Sequence, residues 1–133
     1  LGDVYKRQIL NLTYLENDGA VFGSFSGMRW VLLGITSLLM IFCIYYLIKH
    51  KKELLTVISM TLIISGGFGN IIDRLFRGGL VVDYLDVQLF DFAIFNFADC
   101  CVVVGVVLLL IQILFFDKST SQKNKNESVQ TDE

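Results

Sequence analysis

One histidine, no proline and three cysteines in no recognisable spacing leave little room for metal or redox chemistry in this chain. Cys43 lies in the middle of an apolar run, and Cys100 and Cys101 are adjacent at the start of another, so no metal-ligand or Cys-x-x-Cys set can be written. They read as buried, apolar-like thiols. The single His50 sits among Lys49, Lys51 and Lys52, which disfavours Ser/His/Asp catalysis. No basic patch is interleaved with aromatics, which points away from nucleic acid. Gly66-Gly67-Phe68-Gly69 has neither the Lys-Ser/Thr nor the preceding strand of a phosphate loop. It reads as small residues that let helices approach closely. Charge is scarce as well: 18% of the 133 residues are charged and the net charge is −2, where an ordinary soluble domain has about 25% charged residues.

Apolar residues are abundant. They make up 54% of the chain, and the mean hydropathy is +0.63. The length allows one domain at most, and the composition leans toward lipid. Residues 30–48 carry no formal charge, between Arg29 and the Lys49-His50-Lys51-Lys52 cluster. Nineteen residues at about 1.5 Å each span roughly 28 Å, close to the hydrocarbon core of about 30 Å. A second span opens at Leu54 and runs to about Ile72, ending in a polar group with Asn70, Asp73 and Arg74. A third covers residues 95–116 with Asp99 as its only charge. The expected fold is therefore an all-α integral membrane protein with a small β element. Residues 9–116 form the membrane domain, 1–8 an atypical or foreign segment, and 117–133 a polar, disordered tail.

Lysines crowd the loop between the first two spans, which predicts a cytoplasmic loop. The tail would then be cytoplasmic, and residues 10–28 and 74–94 would lie outside. Ile9 to Leu15 alternates loosely and meets a turn signal at Glu16-Asn17-Asp18-Gly19, with Ala20 to Phe25 following. This pattern predicts strand, turn and second strand at the membrane interface.

Three aspartates stand out against this background. A carboxylate near a bilayer costs roughly 2.5–3.5 kcal/mol on insertion scales and is a functional candidate by default. Asn70 and Asp73 share a helix face, with Arg74 adjacent, and Asn96 and Asp99 repeat the spacing. Asn96 is a plausible N-cap, which would set Asp99 near the positive end of the third helix. A plain capping role is the competing reading for Asp99. For Asp83 it is a solvated loop carboxylate, as Asp86 and Asp91 are read. Composition alone does not separate these readings. If Asp83 and Asp99 converge, one keeps a proton while the other ionises, and the pair can activate water against a peptide bond.

Four motifs in order resemble the lipoprotein signal peptidase (signal peptidase II) family of bacteria. They are Asn17-Asp18-Gly19-Ala20-Val21-Phe22-Gly23, with Val21 where the family has alanine; Gly69-Asn70-Ile71-Ile72-Asp73-Arg74; Val81-Val82-Asp83-Tyr84; and Phe95-Asn96-Phe97-Ala98-Asp99. The resemblance implies an aspartic endopeptidase of the bacterial cell (inner) membrane, with its active site at the extracytoplasmic face. It implies a dyad of Asp83 and Asp99, and substrate or supporting roles for Asn17, Gly19, Asn70, Asp73, Arg74 and Asn96. It implies no metal and no cofactor. The implied substrate is a prolipoprotein carrying diacylglyceryl-cysteine, cut before that cysteine; membrane lipid is the other partner, and no oligomer is implied. The family has four spans, of which three are present here, so the chain reads as an N-terminally truncated member. The alternatives are a non-catalytic membrane scaffold and a proton-linked transporter subunit.

Overall fold

The computed structural model describes residues 9–20 and 24–116. The expected foreign segment 1–8, Val21 to Gly23 of the first motif and the expected tail 117–133 lie outside the described residues. The elements run β1 (Leu10–Asn17), α1 (Arg29–Lys49), α2 (Leu54–Phe76), β2 (Val81–Val87) and α3 (Phe97–Ile111), the last continued by a π turn at Gln112–Phe116. Among the described residues three helices are long and apolar enough to cross a membrane: Arg29–Lys49, Leu54–Phe76 and Phe97–Phe115.

Burial is that of a membrane bundle. Only Leu32, Leu33 and Met40 are buried on α1 and only Gly105 on α3, so most of their apolar side chains face outward. The core is centred on α2, where Met60, Ile63 and Ile71 meet Leu33 and Met40 of α1. On the side facing α3, polar groups are satisfied locally: the fully buried Ser59 hydroxyl donates to Leu55 O at 2.7 Å.

Helices α2 and α3 touch backbone to backbone, as the glycine-rich stretch predicts. A methyl group on Gly66 would meet the Ala98 carbonyl oxygen and would lie 2.8 Å from Val102 Cγ2. One on Gly105 would lie 2.7 Å from Ser59 O. Gly66→Ala is therefore expected to destabilise the bundle. Its clash, with backbone that cannot rotate away, costs about 1–3 kcal/mol, against a gain in helix propensity of roughly 1 kcal/mol. Gly34 on α1 has nothing within 4 Å of such a methyl, so Gly34→Ala should be neutral or mildly stabilising. Thermal unfolding of the two variants in detergent should give shifts of different sign or size; equal shifts would contradict the packing.

The β element differs from the expected local hairpin. Strand β1 pairs antiparallel with β2, from Leu10↔Val87 to Asn17↔Val81, with an irregularity between Leu12 and Leu15. Glu16 and Asn17 belong to the strand rather than to the turn. Ala20 is a bend and residues 24–27 are a turn, so the described part of the predicted second strand is not extended. The reason is that the chain after β1 is held elsewhere. Gly19 O accepts from Arg74 at 2.8 Å, and Ala20 N–H closes a loop on Ser24 O at 2.6 Å. The edge of β1 is left to β2.

Candidate active site

Strand alternation decides the environment of Asp83. Val81 and Asp83 point inward, 2% and 3% exposed, while Val82 and Tyr84 are turned toward the other face. Asp83 is thus a buried strand residue and not a solvated loop carboxylate. Asp86, read from the sequence as solvated, is partly covered and accepts from Gln88 Nε2 at 2.6 Å. Asp91 is exposed as expected.

Asn96 caps α3. Its side chain accepts from Asp99 N–H at 3.1 Å, and its own N–H donates to Asp99 Oδ2 at 3.1 Å. This reciprocal box fixes the Asp99 carboxylate at the positive end of the helix. The Asn96 side chain also donates to Asp83 Oδ1 at 2.8 Å. One residue, itself 4% exposed, therefore touches both carboxylates. The remaining oxygens are held by two other asparagines. Asn17 Nδ2 donates to Asp83 Oδ2 at 2.9 Å, and Asn70 Nδ2 donates to Asp99 Oδ1 at 2.8 Å. Each of the four carboxylate oxygens receives one neutral N–H donor. Asn96 Nδ2 also donates to Asn70 Oδ1 at 3.1 Å, which closes the network.

Charge near the network comes from Arg74. It is 6% exposed, its Nη2 donates to Gly19 O at 2.8 Å, and its Nε is buried without a hydrogen-bond partner among the described residues. Arg74 does not pair with Asp73, its neighbour in sequence. Asp73 binds Arg77 instead, at 3.2 Å. Neighbouring helix positions diverge by about 100°, whereas i and i+4 share a face. Arg74 therefore turns with Asn70 toward the site, and Asp73 turns with Arg77 toward the start of β2.

Burial pushes the Asp83 carboxyl up from its ordinary value. The bonds from Asn17 and Asn96 pull the other way, the nearby Asp99 adds to the rise, and Arg74 opposes it. Among the described residues no group of three or more His, Cys, Asp or Glu side chains is placed to hold a metal ion.

Asn17, Gly19, Asn70, Arg74, Asp83, Asn96 and Asp99 are thus brought together from four separate parts of the chain. Asp73 stands one step outside. The sequence reading did not single out Tyr84, whose hydroxyl accepts from Phe97 N–H at 3.2 Å and supports the first turn of α3. Its signal was its place next to Asp83 on the outward side of an alternating strand.

Comparison with known proteins accords with this picture. A family model described as Signal peptidase (SPase) II matches residues 2–115. The lipoprotein signal peptidase of Lactococcus lactis subsp. lactis (strain IL1403) is 44% identical over 122 residues, covering 90% of this chain and 80% of that one. That of Clostridioides difficile (strain 630) is 42% identical over 112 residues, covering 84% and 75%. A solved bacterial membrane enzyme, determined by the in meso method, superposes with a TM-score of 0.77 at 36% identity, over 88% of this chain and 71% of that one.

Proposed function

The chain belongs to the signal peptidase II family of membrane peptidases, which remove signal peptides from prolipoproteins, and on that footing we propose that it cuts as an aspartic endopeptidase using Asp83 and Asp99. The observation that carries the reading is the shared asparagine: Asn96 binds Asp83 Oδ1 and Asp99 Oδ2 together. Two carboxylates so linked hold one proton between them, since both cannot ionise easily at close range. In this reading Asp83, the more buried of the two, is the member that carries the proton. Water attacks the scissile carbonyl carbon as Asp99 takes its proton and Asp83 protonates the carbonyl oxygen. The tetrahedral diol then collapses. The C–N bond breaks as the amine nitrogen accepts a proton from one carboxyl and the other recovers the proton of the diol. Arg74 supplies positive potential to the pocket and holds Gly19 beside it.

The substrate in this reading is a precursor whose lipobox cysteine carries diacylglycerol, cut on the amino side of that cysteine. The site lies at the Arg74 end of α2, where an extended chain leaving the bilayer would pass. The test is cleavage of synthetic precursor with and without the diacylglyceryl group by purified protein in lipid, with the products located by mass spectrometry. Cleavage of the lipidated form alone, unaffected by EDTA, is expected. Equal cleavage of both forms, or cleavage restored only by zinc, would overturn the substrate or the mechanism respectively.

The exposed Lys49, Lys51 and Lys52 at the opposite end of the spans orient the site. With that turn cytoplasmic, the dyad faces the outside. Single cysteines at Lys51 and Asp91, in a background lacking Cys43, Cys100 and Cys101, test this with an impermeant reagent on whole cells. Labelling at Asp91→Cys and protection at Lys51→Cys is expected; the reverse would invert the topology.

A further inference from the structure

The segment between β2 and α3 is an arm rather than a plain connection. Leu85 and Phe95 exchange backbone hydrogen bonds of 2.7 and 3.1 Å, and the chain between them projects as a tip. Side chains at the tip are apolar and outward: Leu89 is 67% exposed, Phe90 61% and Phe92 50%. They also pack on one another. Phe90 packs edge-on to Phe92, and Phe92 to Phe95, each pair with ring centroids 5.9 Å apart. Two exposed rings, Phe90 and Phe92, backed by the half-buried Phe95 and joined by Leu89, are a large apolar surface to leave in water.

Two neighbouring surfaces indicate what covers it. Phe97, the first residue of α3, is 67% exposed and begins the outward apolar face of that span. Phe95, two positions before it, closes the row of rings, so the exposed rings of the arm are tied to the start of α3. On the other side, Leu10 pairs with Val87 at the base of the arm, and Leu10 and Leu12 are 50% and 78% exposed. Because α2 ends at Phe76 and α3 begins at Phe97, arm and sheet lie at one end of the spans. Phe and Leu side chains on one face, bounded by polar residues such as Gln88 and Asp91, are the pattern of an element that lies in the plane of the headgroups.

We propose that the tip of this arm, with Leu10 and Leu12 beside it, is an interfacial anchor that inserts into the leaflet next to the Asp83–Asp99 site. The occupant of the apolar surface is bilayer lipid at the boundary of headgroups and acyl chains. The anchor fixes the depth of the sheet, and with it the height of Asp83 above the hydrocarbon. It does not depend on what Asp83 and Asp99 catalyse.

Trp30 is the only tryptophan, so the test is spectroscopic. Phe90→Trp in a Trp30→Phe background is reconstituted into vesicles of phosphatidylcholine and phosphatidylglycerol, one set brominated on the upper acyl chain. The expected result is blue-shifted emission, quenched by the brominated lipid and shielded from acrylamide. Phe92→Trp serves as an independent probe should the first variant fold poorly. Water-like emission that acrylamide quenches and brominated lipid does not would overturn the proposal. So would shielding that arises only when prolipoprotein is added, which would make the arm a substrate-docking element instead.

Discussion

Asp83→Asn and Asp99→Asn are each expected to lower prolipoprotein cleavage by about 10²–10⁴-fold, the range supplied by a positioned proton donor or acceptor. The double variant should be hardly worse than either single one, because groups that act as a unit are grossly non-additive. Either change leaves volume nearly constant and removes only ionisation. The local cost is one mismatched contact. At position 83 the new amide would face Asn17 Nδ2 with a donor where an oxygen now accepts at 2.9 Å; at 99 it would oppose either Asn70 or the Asn96 N–H. One lost hydrogen bond is worth about 1 kcal/mol, too little to unfold the bundle. For Asp83 there is a compensation with a definite pH dependence. Its carboxyl is raised in the folded state by burial, so its contribution to stability is complete below the unfolded value of about 3.9 and is lost as pH rises through the folded one. The native protein should therefore lose stability with rising pH across that window, and Asp83→Asn should flatten the loss. Cleavage rate and thermal unfolding, measured side by side from about pH 4 to about pH 8, separate chemistry from folding. Substantial turnover by a well-folded single variant would end the aspartic assignment.

The helices and the α3 cap were legible in the sequence because their causes are local. Charge-free runs bounded by Lys and Arg mark the spans. An Asn three residues before an Asp at the mouth of such a run is enough to build the reciprocal box at Asn96 and Asp99. The glycines of α2 were legible as packing residues, though not their partners at Ala98 and Val102. The strand pairing was not legible. Residues 16–19 carry every local signal for a turn, and nothing local shows that Arg74, far along the chain, takes the Gly19 carbonyl. For the same reason the sequence left Asp83 divided between loop and site. Its burial follows from pairing with β1, a non-local event. The partner of Asp73 follows from helix geometry: Arg77, and not the adjacent Arg74, satisfies the i,i+4 rule.

Arg74→Gln should separate two roles that its position combines. Arg74 is 6% exposed, and its Nη2 bond of 2.8 Å to Gly19 O ties the turn after β1 to α2. Losing that donor leaves a buried carbonyl unsatisfied, at a cost of about 1–3 kcal/mol. A structural tie alone predicts no more than this loss, with the shape of the pH–rate profile unchanged. The second role is electrostatic. Positive charge at Arg74 holds the Asp83 carboxyl down against burial and against Asp99. Removing it lets the Asp83 carboxyl rise further. If Asp83 must be protonated to act, the alkaline limb of the cleavage profile then moves to higher pH, while the maximum rate falls by at least about 10-fold through loss of stabilisation in the pocket. The limb belongs to the coupled pair rather than to one residue, so its movement is read as a shift of the whole dyad. Arg74→Lys keeps the charge and loses the planar fork. It should leave the limb near its native position while stability drops, and Arg74→Gln should move both. A profile unmoved in Arg74→Gln would reduce Arg74 to a tie between α2 and Gly19. A limb moved to lower pH would contradict the electrostatic role itself, because loss of a positive charge raises a neighbouring carboxyl whichever aspartate carries the proton.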